Sequence, residues 1–332
     1  MLLYNFMNNL SKNILATLAY FDVFDRPIDA VEVCRSLVNF KHLNFVDEAA
    51  YRGLEEVKRE LAKMVSDGRV CVDGSNYYLF GRGYNIALKK KREKNAEAKF
   101  KKINKAIKIM GAIPYIEGIF ASGSLAIKNT DELSDLDVLV IVRHGRMWLA
   151  RTMMILITNL MGMRRKGSDR IAPDKICLNH YIGDDSLKIP FMSIYNAQTY
   201  SNLVPLYVRR NTLVEDFKKA NAWVLDFVYQ WNIDIPKKLR NRWMNRLKDL
   251  SERIFNTRLG DMLELWARSF QYRRIESNPL TKQPGGRVVF GDQQLEFHPN
   301  SIERTIISKY NSNLINLGMP ELAKEKDSGL NV

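Results

Sequence analysis

Asp135 and Asp137 stand two residues apart at the head of an apolar run, Leu136 to Val142, and the pair Gly123-Ser124 lies ten residues upstream. Along a strand, residues i and i+2 point to the same face. The two carboxylates therefore project together while Leu136 and Val138 pack behind them. Neighbouring carboxylates disfavour each other's charge, and a cation relieves that. Magnesium (or manganese) takes carboxylate oxygens and completes its shell with waters and substrate phosphates. Gly123 permits unusual dihedrals and close backbone approach. Ser124 adds a hydroxyl and an amide N–H, and a short helix starting at Leu125 turns free amides toward a phosphate. Together they read as a site for a metal-bound nucleoside triphosphate.

These residues need rigid elements around them. Tyr115 to Ala121 and Leu136 to Val142 read as strands, Met147 to Met163 as an apolar helix, and Lys175 to Ile182 as a further strand. Upstream, Tyr84 to Met110 has no Pro or Gly after Tyr84 and reads as one long helix. It carries ten Lys or Arg against two Glu. Before it, helices are expected at Ser11–Tyr20 (with Ser11 as N-cap), Asp29–Val38 and Asp47–Ser66, then a hairpin of Arg69–Val72 and Tyr77–Phe80. Downstream, helices are expected over Glu215–Tyr229 and Lys237–Arg273, a hairpin at Arg287–Phe290 and Gln294–Phe297, and a last helix with Asn300 and Glu303 as a capping box. The expected division is 1–83, 84–192, 193–323 (mainly helical) and a disordered tail, 324–332.

Gly-Ser, a spacer of about ten residues, then Asp-x-Asp between apolar residues resembles the nucleotidyltransferase superfamily that includes DNA polymerase beta and the minimal nucleotidyltransferases. The N-terminal helices and hairpin resemble a winged helix. The resemblance implies an α/β (α+β) nucleotidyltransferase fold with a mixed sheet and flanking helices. It also implies phosphate binding by Gly123 and Ser124, and magnesium binding and catalysis by Asp135 and Asp137. The family often carries a third acid on a neighbouring strand. Here that strand holds no Asp or Glu; Asn179 or His180 takes the place, with Asp174 at the edge and Asp184 beyond. The implied activity is transfer of a nucleoside monophosphate from an NTP to a hydroxyl of RNA, protein or a small molecule. The alternative is a weak or inactive nucleotide- or nucleic-acid-binding regulator.

Length and charge agree with these expectations. The chain has 332 residues, enough for two or three cores. Its net charge of +14 favours an anionic partner, RNA or DNA along the 84–110 segment. The patches Arg164-Arg165-Lys166, Lys237-Lys238 and Arg273-Arg274 fit the same path or ordinary surface charge. Three separated cysteines favour a reducing cytoplasm over a disulfide framework or zinc site. The start lacks a basic n-region, and Met147 to Met163 is short and polar for a membrane span. Tryptophans and methionines read as core fill.

Overall fold

The computed structural model describes residues 8–41, 53–167, 169, 171–235 and 242–321, with backbone alone for 242–244. The chain is a mixed α/β protein with two sheets.

Toward the N-terminus, helices α1 (Asn9–Asp22), α2 (Ala30–Arg35) and α3 (Leu54–Ser66) pack around Ile14, Leu18, Val33, Val57 and Leu61, all buried. A small sheet joins them, built from β1 (Ile28–Asp29), β2 (Cys71–Asp73) and β3 (Asn76–Tyr78) in the order β1-β3-β2. The N-cap of α1 is Asn8, whose side chain accepts from the Ser11 N–H, so the cap lies three residues before the expected one. Residues 47–52 of the expected third helix fall outside the described residues.

Helix α4 (Asn85–Met110) runs unbroken, as its composition predicts. The large sheet follows, with strands β4 (Ile116–Ala121), β5 (Leu136–Val142), β6 (Ile176–Gly183), β7 (Val204–Val208), β8 (Arg287–Phe290) and β9 (Gln294–His298), in the order β7-β4-β5-β6-β9-β8. Among the named strands of the described residues, β5 and β6 alone pair in parallel, joined by the crossover helix α6 (Met147–Leu160). Between β4 and β5 sits one short turn of helix, α5 (Gly123–Ala126).

Strand β7 was not expected. Pro205 removes a backbone donor and disguises a strand in the sequence, but β7 is an edge, where a proline is tolerated. With β8 and β9, it carries the sheet past residue 192 into the downstream segment. That segment is otherwise helical: α7 (Ile194–Ser201), α8 (Thr212–Ala220), α9 (Arg242–Phe255), α10 (Arg258–Glu276) and α11 (Glu303–Asn316).

Two expected long helices are broken. Asn221 ends α8; its side chain accepts from the Ile189 N–H and donates to the Leu187 and Phe217 carbonyls, and a 3₁₀ turn follows (Ala222–Asp226). The expected 237–273 helix divides at Asn256-Thr257, where Gly260 packs directly against the Phe255 carbonyl and leaves no space for a Cβ. The capping box at Asn300 does not form. Asn300 accepts from Gln283, and Glu303 turns inward to a buried ion pair with Arg287.

The large sheet is covered on both faces. One face packs Val138, Val140 and Tyr181 against α4, α6 and α10, through residues such as Ile107, Met154 and Ala267. The other packs Phe120, Leu139 and Ile141 with α7, α8 and α11 in a core that continues into α1 and α3. Among the described residues, no helix is long and apolar enough to cross a membrane.

Candidate functional site

Strand β4 runs antiparallel to β5, so its C-terminal end lies beside the start of β5. The intervening loop therefore returns the Gly-Ser turn onto the aspartates. The Ser122 N–H donates to the Asp137 carbonyl at 3.0 Å. Gly123 has φ +58°, a region that other residues rarely adopt. A Cβ there would stand 2.9 Å from Asp137 Oδ2. Glycine thus suits the left-handed backbone, and a side chain there would push the Asp137 carboxylate aside. The turn of helix begins at Gly123, two residues earlier than expected, and the Asn129 N–H donates to the Ser124 carbonyl at 2.8 Å.

Asp137 lies in β5 and Asp135 immediately precedes it. A ligand oxygen from each lies within 4.8 Å of the other and of Cys177 Sγ on β6. The parallel register places Cys177 opposite Asp137. A shift in that register then brings in Asn179, whose Nδ2 donates to Asp137 Oδ1 at 3.2 Å. Arg165, in the basic loop before β6, forms an ion pair with Asp135. Burial, then the neighbouring Asp135 charge, raises the Asp137 carboxyl well above the usual carboxylate range. Burial and the two carboxylates likewise push the Cys177 thiol up, so it is held as a thiol.

No third carboxylate joins the pair among the described residues. Asp174 binds Lys99 and Lys102 on α4. Asp184 sits at the far end of β5 and β6, about 20 Å along the strands, where it accepts from the His144 N–H and its own N–H donates to the Val142 carbonyl. His180 lies opposite Leu139, buried, beside Tyr200 and Gln294, and burial lowers its pKa to about 4. Of the candidates for the third place, Asn179 is near Asp137, and it offers an oxygen ligand but no base.

Sequence reasoning missed Cys177 and Arg165. Cys177 was set aside as an isolated cysteine; its only signal was its place on the neighbouring strand. Arg165 reads in the sequence as part of a polynucleotide path or as surface charge, not as a partner of Asp135. Lys99 was also missed: buried, it donates to the Ser134 carbonyl at 2.7 Å and fixes the loop just before Asp135 from the long basic helix. From the N-terminal part, the Phe24 carbonyl accepts from Arg92 and Asn129, tying the same loop to α1 and α4.

The donor set fits a hard divalent cation in part. Two carboxylates, one of them crowded by the other, leave negative charge that Arg165 balances only once. Magnesium or manganese accepts such oxygens with phosphate oxygens beside them. The Cys177 thiol is a poor magnesium ligand and stands where an oxygen donor would serve better. No protein-family model, curated protein or solved structure matches this chain, so the site stands on its geometry.

Proposed function

We propose that the chain is a magnesium- or manganese-dependent nucleotidyltransferase, with a nucleotidyltransferase fold around the large sheet and a winged helix before it. The carrying observation is the side-chain-free Gly123 turn closed against Asp137. In this reading Gly123 and Ser124 hold the NTP phosphates, and Asp135 and Asp137 hold the metal. The metal, when bound, neutralises charge on the phosphates and on the leaving pyrophosphate. The acceptor hydroxyl oxygen bonds to the α-phosphorus, the bond to the bridging oxygen breaks, pyrophosphate leaves, and the hydroxyl proton passes to water. Arg165 must release Asp135 or share it with the ligand.

A polynucleotide acceptor is supported by α4. Lys90, Lys94, Lys101, Lys105 and Lys108 recur at helical spacing along one side, are exposed, and make no ion pair among the described residues. They span roughly 27 Å at the α-helical rise.

The second reading, a regulator that binds nucleotide without turnover, is favoured by Cys177 and Asn179 in place of a third acid. One experiment separates the two. The chain is incubated with α-labelled NTPs, magnesium and RNA, beside Asp135→Ala/Asp137→Ala. Label transfer lost in the variant supports the enzyme. Transfer that persists in the variant overturns the site. Metal-dependent NTP binding without transfer supports the regulator. RNA affinity that does not fall as salt rises removes α4 as the polynucleotide track.

A further inference from the structure

Helices α9 and α10 carry their apolar residues on the wrong side for a lone chain. A surface helix turns its apolar stripe inward. On α9 the inward residues are Lys248 and Glu252, both buried. Glu252 accepts from the Tyr115 N–H at 3.0 Å and pairs with Arg143 and Arg209. The outward residues are Leu247, Leu250 and Ile254. On α10, Ala267, Gln271 and Ile275 face inward, while Leu259, Met262 and Trp266 face out. Both outward sets follow the spacing i, i+3, i+7, the seam by which helices pack on helices. Leu265 and Phe270 extend the patch, with Phe270 stacked on Trp266 at 5.9 Å. All eight side chains are between 52% and 67% exposed.

We infer that this face is a dimer interface, and that its occupant is the same face of a second copy of the chain. Area is the first argument. At on the order of 100 Å² each, eight half-exposed side chains present roughly 800 Å², the area that a standard interface takes from each partner. The largest apolar patch on a typical monomer is about 300–600 Å². Composition is the second. Interface cores are rich in Trp, Phe, Met and Arg and poor in Lys. Every exposed cation on α9 and α10 is arginine; their single lysine, Lys248, is buried. On α4, by contrast, nine of the ten cations are lysine. Two such helix pairs, seam to seam, make a four-helix arrangement.

The test is the mass of the full chain in solution by light scattering and sedimentation, followed through dilution. The expected result is a dimer of twice 38.5 kDa that dissociates on dilution. Leu250→Glu/Trp266→Glu is expected to be monomeric with an unchanged circular dichroism spectrum. Leu160→Glu, on an exposed site of α6 outside the face, is expected to remain dimeric. If the double glutamate variant fails to fold, Leu250→Asn/Trp266→Gln takes its place. A wild-type chain that is monomeric up to its solubility limit overturns the inference. So does a dimer that survives the folded double variant. A monomer that instead binds vesicles of anionic lipid through Trp266 also overturns it and assigns the face to a lipid surface.

Discussion

At φ +58°, with Asp137 Oδ2 only 2.9 Å from where a Cβ would sit, Gly123 leaves no room for a side chain. Gly123→Ala therefore meets two costs: a left-handed backbone of roughly 1–2 kcal/mol, and displacement of the Asp137 carboxylate. The expected outcome is a stable, folded variant whose NTP affinity in magnesium is at least tenfold lower, on the order of 1.4 kcal/mol. Nucleotide titration checks this, and wild-type affinity in the variant removes the turn from the site. Gly123, Ser124, Asp135 and Asp137 were readable in the sequence because they lie within one hairpin, where local spacing sets geometry. Cys177 and Arg165 were not. They reach the aspartates across a parallel pairing whose crossover occupies the chain between β5 and β6, and nothing local records that register. Asn179 was foreseen as a neighbour, but the shift in register that delivers it was not.

The absence of Pro and Gly located α4, continuous apolar runs located β4 and β5, which are buried along almost their whole length, and the Gly291-Asp292 turn located the β8–β9 hairpin. Periodicity failed where a single tertiary contact decides. Asn221 satisfies backbone groups of Leu187 and Ile189 in one neighbouring segment and ends α8 in mid-pattern, and Gly260 lets α9 and α10 fold against each other. Trp266 was expected in the core, since its spacing is that of a buried stripe; the stripe faces outward instead. Lys248 shows the converse, a lysine drawn wholly inside. Its ammonium donates to the Ile116 carbonyl, lies 3.3 Å from the Tyr207 hydroxyl, and is pushed down to about pKa 7, chiefly by burial. The unfolded lysine titrates near 10.5. Between those values the unfolded chain binds a proton that the folded chain does not, so stability rises with pH from about 7 to about 10.5 and is lowest below 7. Lys248→Met is expected to remove that component of the slope. At neutral pH it is also expected to stabilise the fold by on the order of 1–4 kcal/mol, because an apolar group replaces a desolvated charge. Urea melts of both proteins at pH 7 and 10 check this; an equal pH slope in the two places the titration elsewhere.

At the scale of the whole molecule, the N-terminal helices are not an independent bead. Their core runs without a break from Ile14, Leu18 and Leu61 through Phe120, Leu139 and Ile141 of the sheet to Phe217, Trp231 and Tyr310. Hydrogen bonds stitch the same parts together: the Asn39 backbone N–H donates to the Phe227 carbonyl, the Tyr229 backbone N–H to the Leu37 carbonyl, and the Asn13 side-chain amide to the Tyr229 hydroxyl. Tyr310 of α11 packs edge-on against Tyr20 of α1 at 5.6 Å, and Asn313 donates to the Ala19 carbonyl. The first and last thirds of the sequence thus share one core, a long-range arrangement that composition and periodicity do not encode. Chains with separable domains unfold in separable steps. Here Tyr310→Ala, which empties a fully buried aromatic site, is expected to cost about 3–5 kcal/mol and to shift the whole protein in one transition. Far-ultraviolet dichroism, reporting α4 and the helices of both ends, is expected to move together with tryptophan fluorescence, reporting Trp148 on the opposite face of the sheet and Trp231 in the shared core. Two transitions, with only the first displaced by the substitution, would instead make the N-terminal part an autonomous unit held to the sheet by its surface.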